Sequence, residues 1–113
     1  MNWQKIHKSC EKSFSEFFRW GRFTCENEEE LIDIIKSHGS IIMGVQLREL
    51  YDFFDERNII VSIRSPFDNT ESFQWKIGMS GWSTERFANR TKCEEKAFEI
   101  AFFEREKQLK KEL

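Results

Sequence analysis

Hydrophobic residues near the start of the chain recur at intervals that place them on one face of an α-helix. The set comprises Trp3, Ile6, Cys10, Phe14, Phe17 and Phe18. Gly21 directly follows Trp20. Glycine is suited to end a helix because it readily adopts the left-handed backbone conformation that is common just beyond the last turn. The pattern therefore predicts a single amphipathic helix as the first element.

A short second helix is predicted around residues 31–35. Its aliphatic members are Leu31, Ile32, Ile34 and Ile35, and the sequence SHG at residues 37–39 supplies an end. A strand within residues 27–43 stays open as an alternative, because β-branched side chains favour strands. The acidic run ENEEELID, residues 26–33, is typical of a solvated helix N-terminus, with a contact for a basic partner as the alternative.

A third helix is predicted for residues 45–58, VQLRELYDFFDERN. The helical period places its large hydrophobic residues on one face, and these are Leu47, Leu50, Tyr51 and Phe54. Asn58 is suited to cap the C-terminal end, because asparagine tolerates the left-handed conformation.

The hydrophobic period then changes from that of a helix to that of a strand. In residues 59–64 every second residue is Ile59, Val61 or Ile63, and in residues 73–77 Phe73, Trp75 and Ile77 alternate with polar residues. The sequence PFDN at residues 66–69 is rich in turn-forming residues. This pattern predicts an antiparallel hairpin. Gly78 and Gly81 predict a bend or bulge, after which Trp82 continues the second strand or begins a short third one.

The last helix is predicted to begin at Thr91. The sequence TKCE, residues 91–94, fits a capping box, in which the threonine hydroxyl and the Glu94 carboxylate each accept a main-chain N–H. Ala97, Phe98, Ala101 and Phe102 then follow with helical spacing. Lysines concentrate near the end of the segment, which complements the helix dipole.

These elements predict an α+β fold in the order α-α-α-β-β-α. The helices would cover one face of a two- or three-stranded antiparallel sheet, because such a small sheet needs a helix layer over its hydrophobic side. The chain has 113 residues and no interdomain linker or internal repeat, which indicates a single domain over residues 1–113.

The elements also resemble a family. The passages LYDFFDERNIIVSI, FQWKIGMSGW and RTKCEEKAFEIAFFE are similar to short proteins, without assigned activity, encoded by phages and prophages of Bacteroides-type gut bacteria. The resemblance covers roughly residues 44 to 104. Lys92 and Cys93 depart from it, since small or acidic residues are usual there, and the first 40 residues resemble the family little. The resemblance implies an origin and a fold but no activity.

Composition and charge narrow the classes of function. Hydrophobic residues make up 39% and charged residues 34% of the chain, which argues against both disorder and a membrane span. The start of the sequence lacks the hydrophobic region of a signal peptide. The chain has three cysteines, and an odd number does not fit a framework of disulfide bonds. We therefore expect a cytoplasmic protein. The net charge of -2 makes nucleic acid an unlikely partner, because neither half of the chain is strongly basic.

Motifs for catalysis or cofactor binding are not found in the sequence. No phosphate-binding loop, dinucleotide fingerprint, nucleophile elbow or zinc-protease motif is present. His7 and Cys10 could share a metal, but zinc sites normally contain two close pairs of ligands. Cys93 lies near a helix start but has no neighbouring base to activate a thiol. We therefore predict no catalytic, metal or cofactor residues, and no enzyme.

Aromatic residues are the remaining candidates for function. They make up 15% of the chain, and most are expected in the core. Those least easily buried lie at the predicted hairpin tip (Phe67), in the glycine-bounded loop, and at one position of the Phe102–Phe103 pair. We predict a partner-binding site comprising Trp82, Arg86, Phe87, Arg90 and Phe103, because aromatic residues and arginine are enriched at interface hot spots.

The predicted function is non-enzymatic protein binding by a phage or prophage accessory factor, with an unknown protein partner for which a host component is one candidate. The last helix and the hairpin edge could also form a homodimer. The alternative is a module for single-stranded nucleic acid, since aromatic and arginine side chains stack on bases. An enzyme of unknown type is the third hypothesis.

Overall fold

The computed structural model describes residues 2–21, 25–37, 47–65 and 72–111. Strands β1 and β2 form an antiparallel sheet against which helices pack, so the predicted α+β class is confirmed. In chain order the elements are α1 (Trp3–Ser9), α2 (Glu11–Gly21), α3 (Glu28–Ser37), α4 (Leu47–Asp55), β1 (Val61–Arg64), β2 (Gln74–Ile77) and α5 (Arg90–Lys111).

The first predicted helix is in fact two helices, and the prediction of one element was wrong. Cys10 separates α1 from α2 with a non-helical backbone (φ -127°, ψ 52°). The N–H of Ser13, in the first turn of α2, donates to the carboxylate of Glu106 on α5 at 2.8 Å. The Ser13 hydroxyl is 3.1 Å from the carbonyl oxygen of Phe102. Partners from a distant helix therefore satisfy the start of α2 and permit the break.

The second predicted segment is a helix, not a strand, over the described part of residues 27–43. Asn27 caps α3, because its side-chain oxygen accepts the N–H of Glu30 at 2.8 Å. The Glu30 carboxylate accepts the N–H of Glu26, the residue before the cap, at 3.0 Å, so each of the two side chains accepts a main-chain N–H near the helix start. The acidic run thus lies at a helix N-terminus. Residues 38–43 lie outside the described ranges.

The end of α4 confirms the predicted role of Asn58. Its φ is +60°, and its N–H donates to the carbonyl oxygen of Asp55 at 3.0 Å. The N–H of Ile59 donates to the carbonyl oxygen of Phe54 at 2.9 Å, and both of these side chains are buried. These bonds and the hydrophobic contact form a Schellman motif, which turns the chain from α4 into β1.

The predicted start of α5 was wrong. The helix begins at Arg90, and its cap is Asn89, whose side-chain oxygen accepts the N–H of Lys92 at 3.1 Å. Thr91 therefore lies inside the first turn. Glu94 is 6% exposed, and its carboxylate accepts a hydrogen bond from the Tyr51 hydroxyl at 2.6 Å, so this carboxylate is engaged by α4 rather than by a cap.

The core is mainly aromatic and centres on Phe102 of α5. Its ring centroid lies 5.9 Å from that of Trp3, 5.7 Å from that of Phe17 and 5.0 Å from that of Phe54, in edge-to-face contacts. Such pairs each contribute about 0.5–1.5 kcal/mol beyond burial itself. The aromatic content of the sequence is therefore explained largely by a core built between α1, α2, α4 and α5.

The predicted hairpin is present, with Val61 opposite Ile77 and Ile63 opposite Trp75. These four side chains belong to or pack against the core, so α5 covers this face of the sheet. β2 ends at Ile77, and Gly78 takes a left-handed conformation (φ +61°). The predicted turn at residues 66–69 lies outside the described ranges.

In place of the predicted short third strand, the structure has an isolated β-bridge beside β2. The chain returns after the glycines, and the N–H of Ser83 donates to the carbonyl oxygen of Trp75 at 2.7 Å. Phe87 and Phe73 then exchange main-chain hydrogen bonds of 3.0 and 2.8 Å. Trp82 itself belongs to no strand. We call residues 82–87 the return segment.

Candidate partner-binding surface

The sheet face that points away from α5 is the candidate functional surface. Strand residues alternate between the two faces, so this face carries the side chains that alternate with those of the core. They are Ile60, Ser62 and Arg64 from β1 and the residue before it, together with Gln74 and Lys76 from β2. We call this surface, with Trp82 upon it, the outer face of the hairpin.

Trp82 is the centre of the outer face. The Arg64 guanidinium carbon lies 4.2 Å from its ring centroid, and the Lys76 ammonium nitrogen lies 4.9 Å away. Each contact is a cation–π interaction, worth about 0.5–1 kcal/mol at an exposed site. Trp82 thereby holds two cations from different strands together on one surface.

The Gln74 side chain holds Arg64 and the return segment in these positions. Gln74 is only 6% exposed, although it lies on the face that points away from α5. Its side-chain nitrogen donates to the carbonyl oxygen of Ser83 at 2.8 Å, and its oxygen accepts the Nε–H of Arg64 at 3.2 Å. The Ser83 hydroxyl oxygen accepts the N–H of Trp75 at 3.1 Å. A buried amide thus ties the return segment to the sheet and orients the arginine.

The orientation of Arg64 decides what the outer face can bind. Its Nε–H is used by Gln74, and its terminal nitrogens have no hydrogen-bond partner within the described ranges. A guanidinium held in this way presents two parallel N–H donors, which match the oxygens of a carboxylate or phosphate. An oxyanion is therefore the group whose geometry matches these donors.

The predicted site residues lie on several elements. Trp82, Arg86 and Phe87 share the return segment, where the Arg86 Nη1 donates to the Ser72 hydroxyl oxygen at 2.8 Å. Arg90 is the first residue of α5, and its Nε lies 3.7 Å from the Glu94 carboxylate. The structure therefore groups Trp82 with Arg86 and Phe87, and their role in binding stays a prediction.

Phe103 lies apart from that group. Phe102 is fully buried, so Phe103 is the more exposed member of the pair, and it packs at the edge of the core. It belongs to α5, which covers the opposite face of the sheet from Trp82. One partner could contact both only by reaching around the edge of the hairpin. Phe67 lies outside the described ranges.

The sequence analysis missed every residue of the outer face except Trp82, namely Ile60, Ser62, Arg64, Gln74 and Lys76. The alternation that predicted the hairpin also assigns them to one face. The same alternation predicted the core-facing side of the hairpin. The position of Trp82 over the outer face depends on the path of the return segment.

Two apolar residues near the end of the hairpin are exposed. Ile60 is 45% exposed and Met79 is fully exposed. The Gly78 N–H donates to the Ile60 carbonyl oxygen at 2.7 Å, so these apolar residues lie at the same end of the hairpin.

The histidine and cysteines considered as metal ligands have structural surroundings. The His7 Nε2 lies 3.7 Å from a Glu28 carboxylate oxygen, and Cys10 is fully buried between α1 and α2. Within the described ranges no group of three or more His, Cys, Asp or Glu side chains is placed to hold a metal ion. Burial, and then the charge of Glu94, raises the pKa of Cys93 to about 11, the opposite of an activated thiol.

Two cavities lined by described residues lie away from the outer face. One, of about 530 Å³, is lined mainly by polar residues of α1 and α3, including His7 and Asp33. The other, of about 390 Å³, runs between β2 and α5 beside Trp75, Ile77 and Ile100. Neither brings together a set of groups with evident chemistry.

No helix in the described part of the chain is both long and apolar enough to cross a membrane. No protein-family model, curated protein or solved structure matches the chain.

Proposed function

We propose that this protein acts by binding an acidic segment of another protein through the outer face of the hairpin. The observation that carries the proposal is the stacking of Arg64 and Lys76 against Trp82, with Gln74 holding Arg64 in place. Tryptophan and arginine are the residues most enriched at binding hot spots, and prior ordering lowers the entropy lost on binding.

The charge of the surface supports an acidic partner. The whole chain has a net charge of -2, whereas the outer face carries Arg64 and Lys76, with Arg86 on the adjoining return segment. Glu85 is the exposed acid of that segment. A local basic surface on an acidic protein steers partners of opposite charge and disfavours others. The resemblance to phage and prophage proteins makes a host protein the first class of partner to test.

Single-stranded nucleic acid is the second candidate, because a tryptophan beside two cations can also bind bases and phosphates. The net charge of -2 favours a protein, because a nucleic-acid binder needs enough cations to neutralise several phosphates. A carboxylate needs only the outward donors of Arg64 and Lys76.

The direct test is binding of defined probes. A fluorescent glutamate-rich peptide and a fluorescent oligothymidine of equal charge would be titrated with the native chain at low and physiological salt. We expect the peptide to bind and the oligonucleotide to bind more weakly. The double variant Arg64→Glu, Lys76→Glu should weaken peptide binding about tenfold or more, as expected for removal of a hot spot.

The matched control is Lys12→Glu, Arg19→Glu, which makes the same change in net charge at exposed positions of α2. It should retain most of the affinity, because α2 lies away from the hairpin's outer face. Equal loss in both double variants would show that binding depends on net charge alone, and would contradict the proposed surface. Tighter binding of the oligonucleotide would establish the second candidate instead.

A further inference from the structure

The two edges of the hairpin differ in how their main-chain groups are satisfied. On the β2 edge, the carbonyl oxygen of Trp75 accepts from Ser83, and Phe73 exchanges hydrogen bonds with Phe87. The return segment therefore covers this edge. Such protection is usual, because unpaired strand edges recruit other strands.

The β1 edge has no such cover in the described part of the chain. The Gly78 N–H donates to the Ile60 carbonyl oxygen, which fixes the alternation of the ladder. By that alternation, Ser62 and Arg64 bond to β2, whereas the N–H and C=O groups of Val61 and Ile63 point away from it. These outward groups have no hydrogen-bond partner within the described ranges. Among the described residues, β1 is thus the edge of the sheet without a main-chain partner.

We propose that this edge pairs antiparallel with β1 of a second copy of the chain, joining two hairpins into one continuous sheet. The pairing would be centred on a twofold axis at Ser62, with Val61 of each copy opposite Ile63 of the other. A twofold contact of this kind uses the same surface on both copies and closes upon itself. The proposal does not rest on the acidic partner proposed above.

The main chain selects this register over its neighbours. A pairing centred on Val61 would need the N–H of Ile59, which already donates to the Phe54 carbonyl oxygen at 2.9 Å. A pairing centred on Ile63 would need Ser65, which lies beyond the end of β1. Only the register centred on Ser62 uses the outward groups of Val61 and Ile63 and no others.

The side chains in this register are compatible with self-pairing. On the outer face, Ser62 meets its own equivalent, and Arg64 lies opposite Ile60 of the other copy. Like charges are thereby kept out of directly opposite positions, where they would destabilise the sheet. Ile60, which is 45% exposed in the single chain, would pack against the aliphatic part of that arginine. On the inner face, Val61 lies opposite Ile63.

Hydrogen exchange measured by NMR tests the proposal with the chain alone. The amides of Val61 and Ile63 should exchange rapidly in dilute solution and become protected as the concentration rises from micromolar to millimolar. The Ser62 amide points to β2 and should be protected throughout, so it serves as an internal control. Concentration-independent exchange at Val61 and Ile63, whether fast or slow, would overturn the proposal.

A charge exchange at Ser62 tests the register. Ser62→Asp and Ser62→Lys should each weaken self-association, because like charges would meet at the twofold axis, and an equimolar mixture should restore it. Ser9→Asp, at an exposed position in α1, should change nothing. Sedimentation velocity would follow the association. A mixture that associates no better than either variant would refute this register. Because neither experiment includes an acidic peptide, failure here would be distinct from failure of the proposed binding function.

Discussion

The carboxylate of Glu106 accepts a hydrogen bond from the main-chain N–H of Ser13 at 2.8 Å, although the two residues are 93 positions apart. Glu106 is only 5% exposed and Ser13 is fully buried. An N-terminal helix turn has unsatisfied N–H groups, which a capping residue normally satisfies locally. Here the last helix supplies the acceptor, so the start of α2 and the docking of α5 depend on one side chain.

We therefore predict that Glu106→Ala will destabilise the fold by about 1–3 kcal/mol, the cost of leaving a buried donor unsatisfied. Glu106→Gln retains an acceptor oxygen and should lose less. Urea unfolding followed by circular dichroism would give both values. Equal stability of the alanine variant and the native chain would show that water or another group replaces the carboxylate without cost.

A second long-range contact joins α2, α5 and the turn after α4. Glu16 accepts the Nε–H of Arg57 at 2.9 Å and two hydrogen bonds from Arg105, at 2.8 and 2.7 Å. Burial by itself would raise the pKa of Glu16, but the bonds from Arg105 and Arg57 and their charges together lower it below the usual value. The charged form of Glu16 is thus stabilised in the folded protein.

The direction of this shift predicts a pH dependence. A carboxylate with a depressed pKa stabilises the fold above its unfolded pKa, which is about 4.3 for glutamate, and that stability is lost as the pH falls through the folded pKa. Glu16→Gln should therefore lower the free energy of unfolding near neutral pH and have a smaller effect in acid. Urea titrations at several pH values would show this. A deficit that is constant with pH would mean that Glu16 acts only through packing.

The correction at the start of α5 gives a direct comparison between two candidate caps. Asn89→Ala should cost about 1 kcal/mol, since its side chain accepts the Lys92 N–H, and Thr91→Ala should cost less because Thr91 lies within the first turn. Thermal and urea unfolding of the two variants would rank them. A greater loss at Thr91 would restore the capping box that the sequence predicted.

Local signals in the sequence predicted much of this fold. Asn58 ended α4 as its conformational preference indicates, and the alternation from Ile59 to Arg64 gave the hairpin and its inner face. The break at Cys10 could not be foreseen, because its compensating acceptor, Glu106, lies at the far end of the chain. Asn89 and Thr91 are both good caps by type, and two structural observations distinguish them: Asn89 accepts the Lys92 N–H, and Glu94 is engaged by Tyr51. The candidate site also combines local and non-local features. The alternation within the strands places Arg64 and Lys76 on one face, but the return segment brings Trp82 to them.

The adjacent phenylalanines of α5 should differ in their contribution to stability. Phe102 is fully buried among other aromatic rings, so Phe102→Ala should cost about 3–5 kcal/mol. Phe103 is partly exposed, and Phe103→Ala should cost clearly less. Denaturant unfolding of both variants provides the measurement. Similar losses at the two positions would indicate that Phe103 is covered in solution, as a contact on that side of α5 would require.

The cysteines allow a last prediction, because their surroundings set their reactivity. Burial, and then the charge of Glu106, raises the pKa of Cys10 to about 11, and Cys93 is raised to a similar value. Alkylation requires the thiolate, so a raised pKa moves the reaction to higher pH and slows it near neutrality. Cys25 is only partly buried, although burial and Glu30 also raise its pKa.

In native buffer, iodoacetamide should therefore modify Cys25 first, and Cys10 and Cys93 should react only when urea unfolds the chain. Mass spectrometry of the digested protein would identify each modified site. Rapid modification of Cys93 in the folded protein would contradict its burial and would reopen the hypothesis of a reactive thiol at the start of α5.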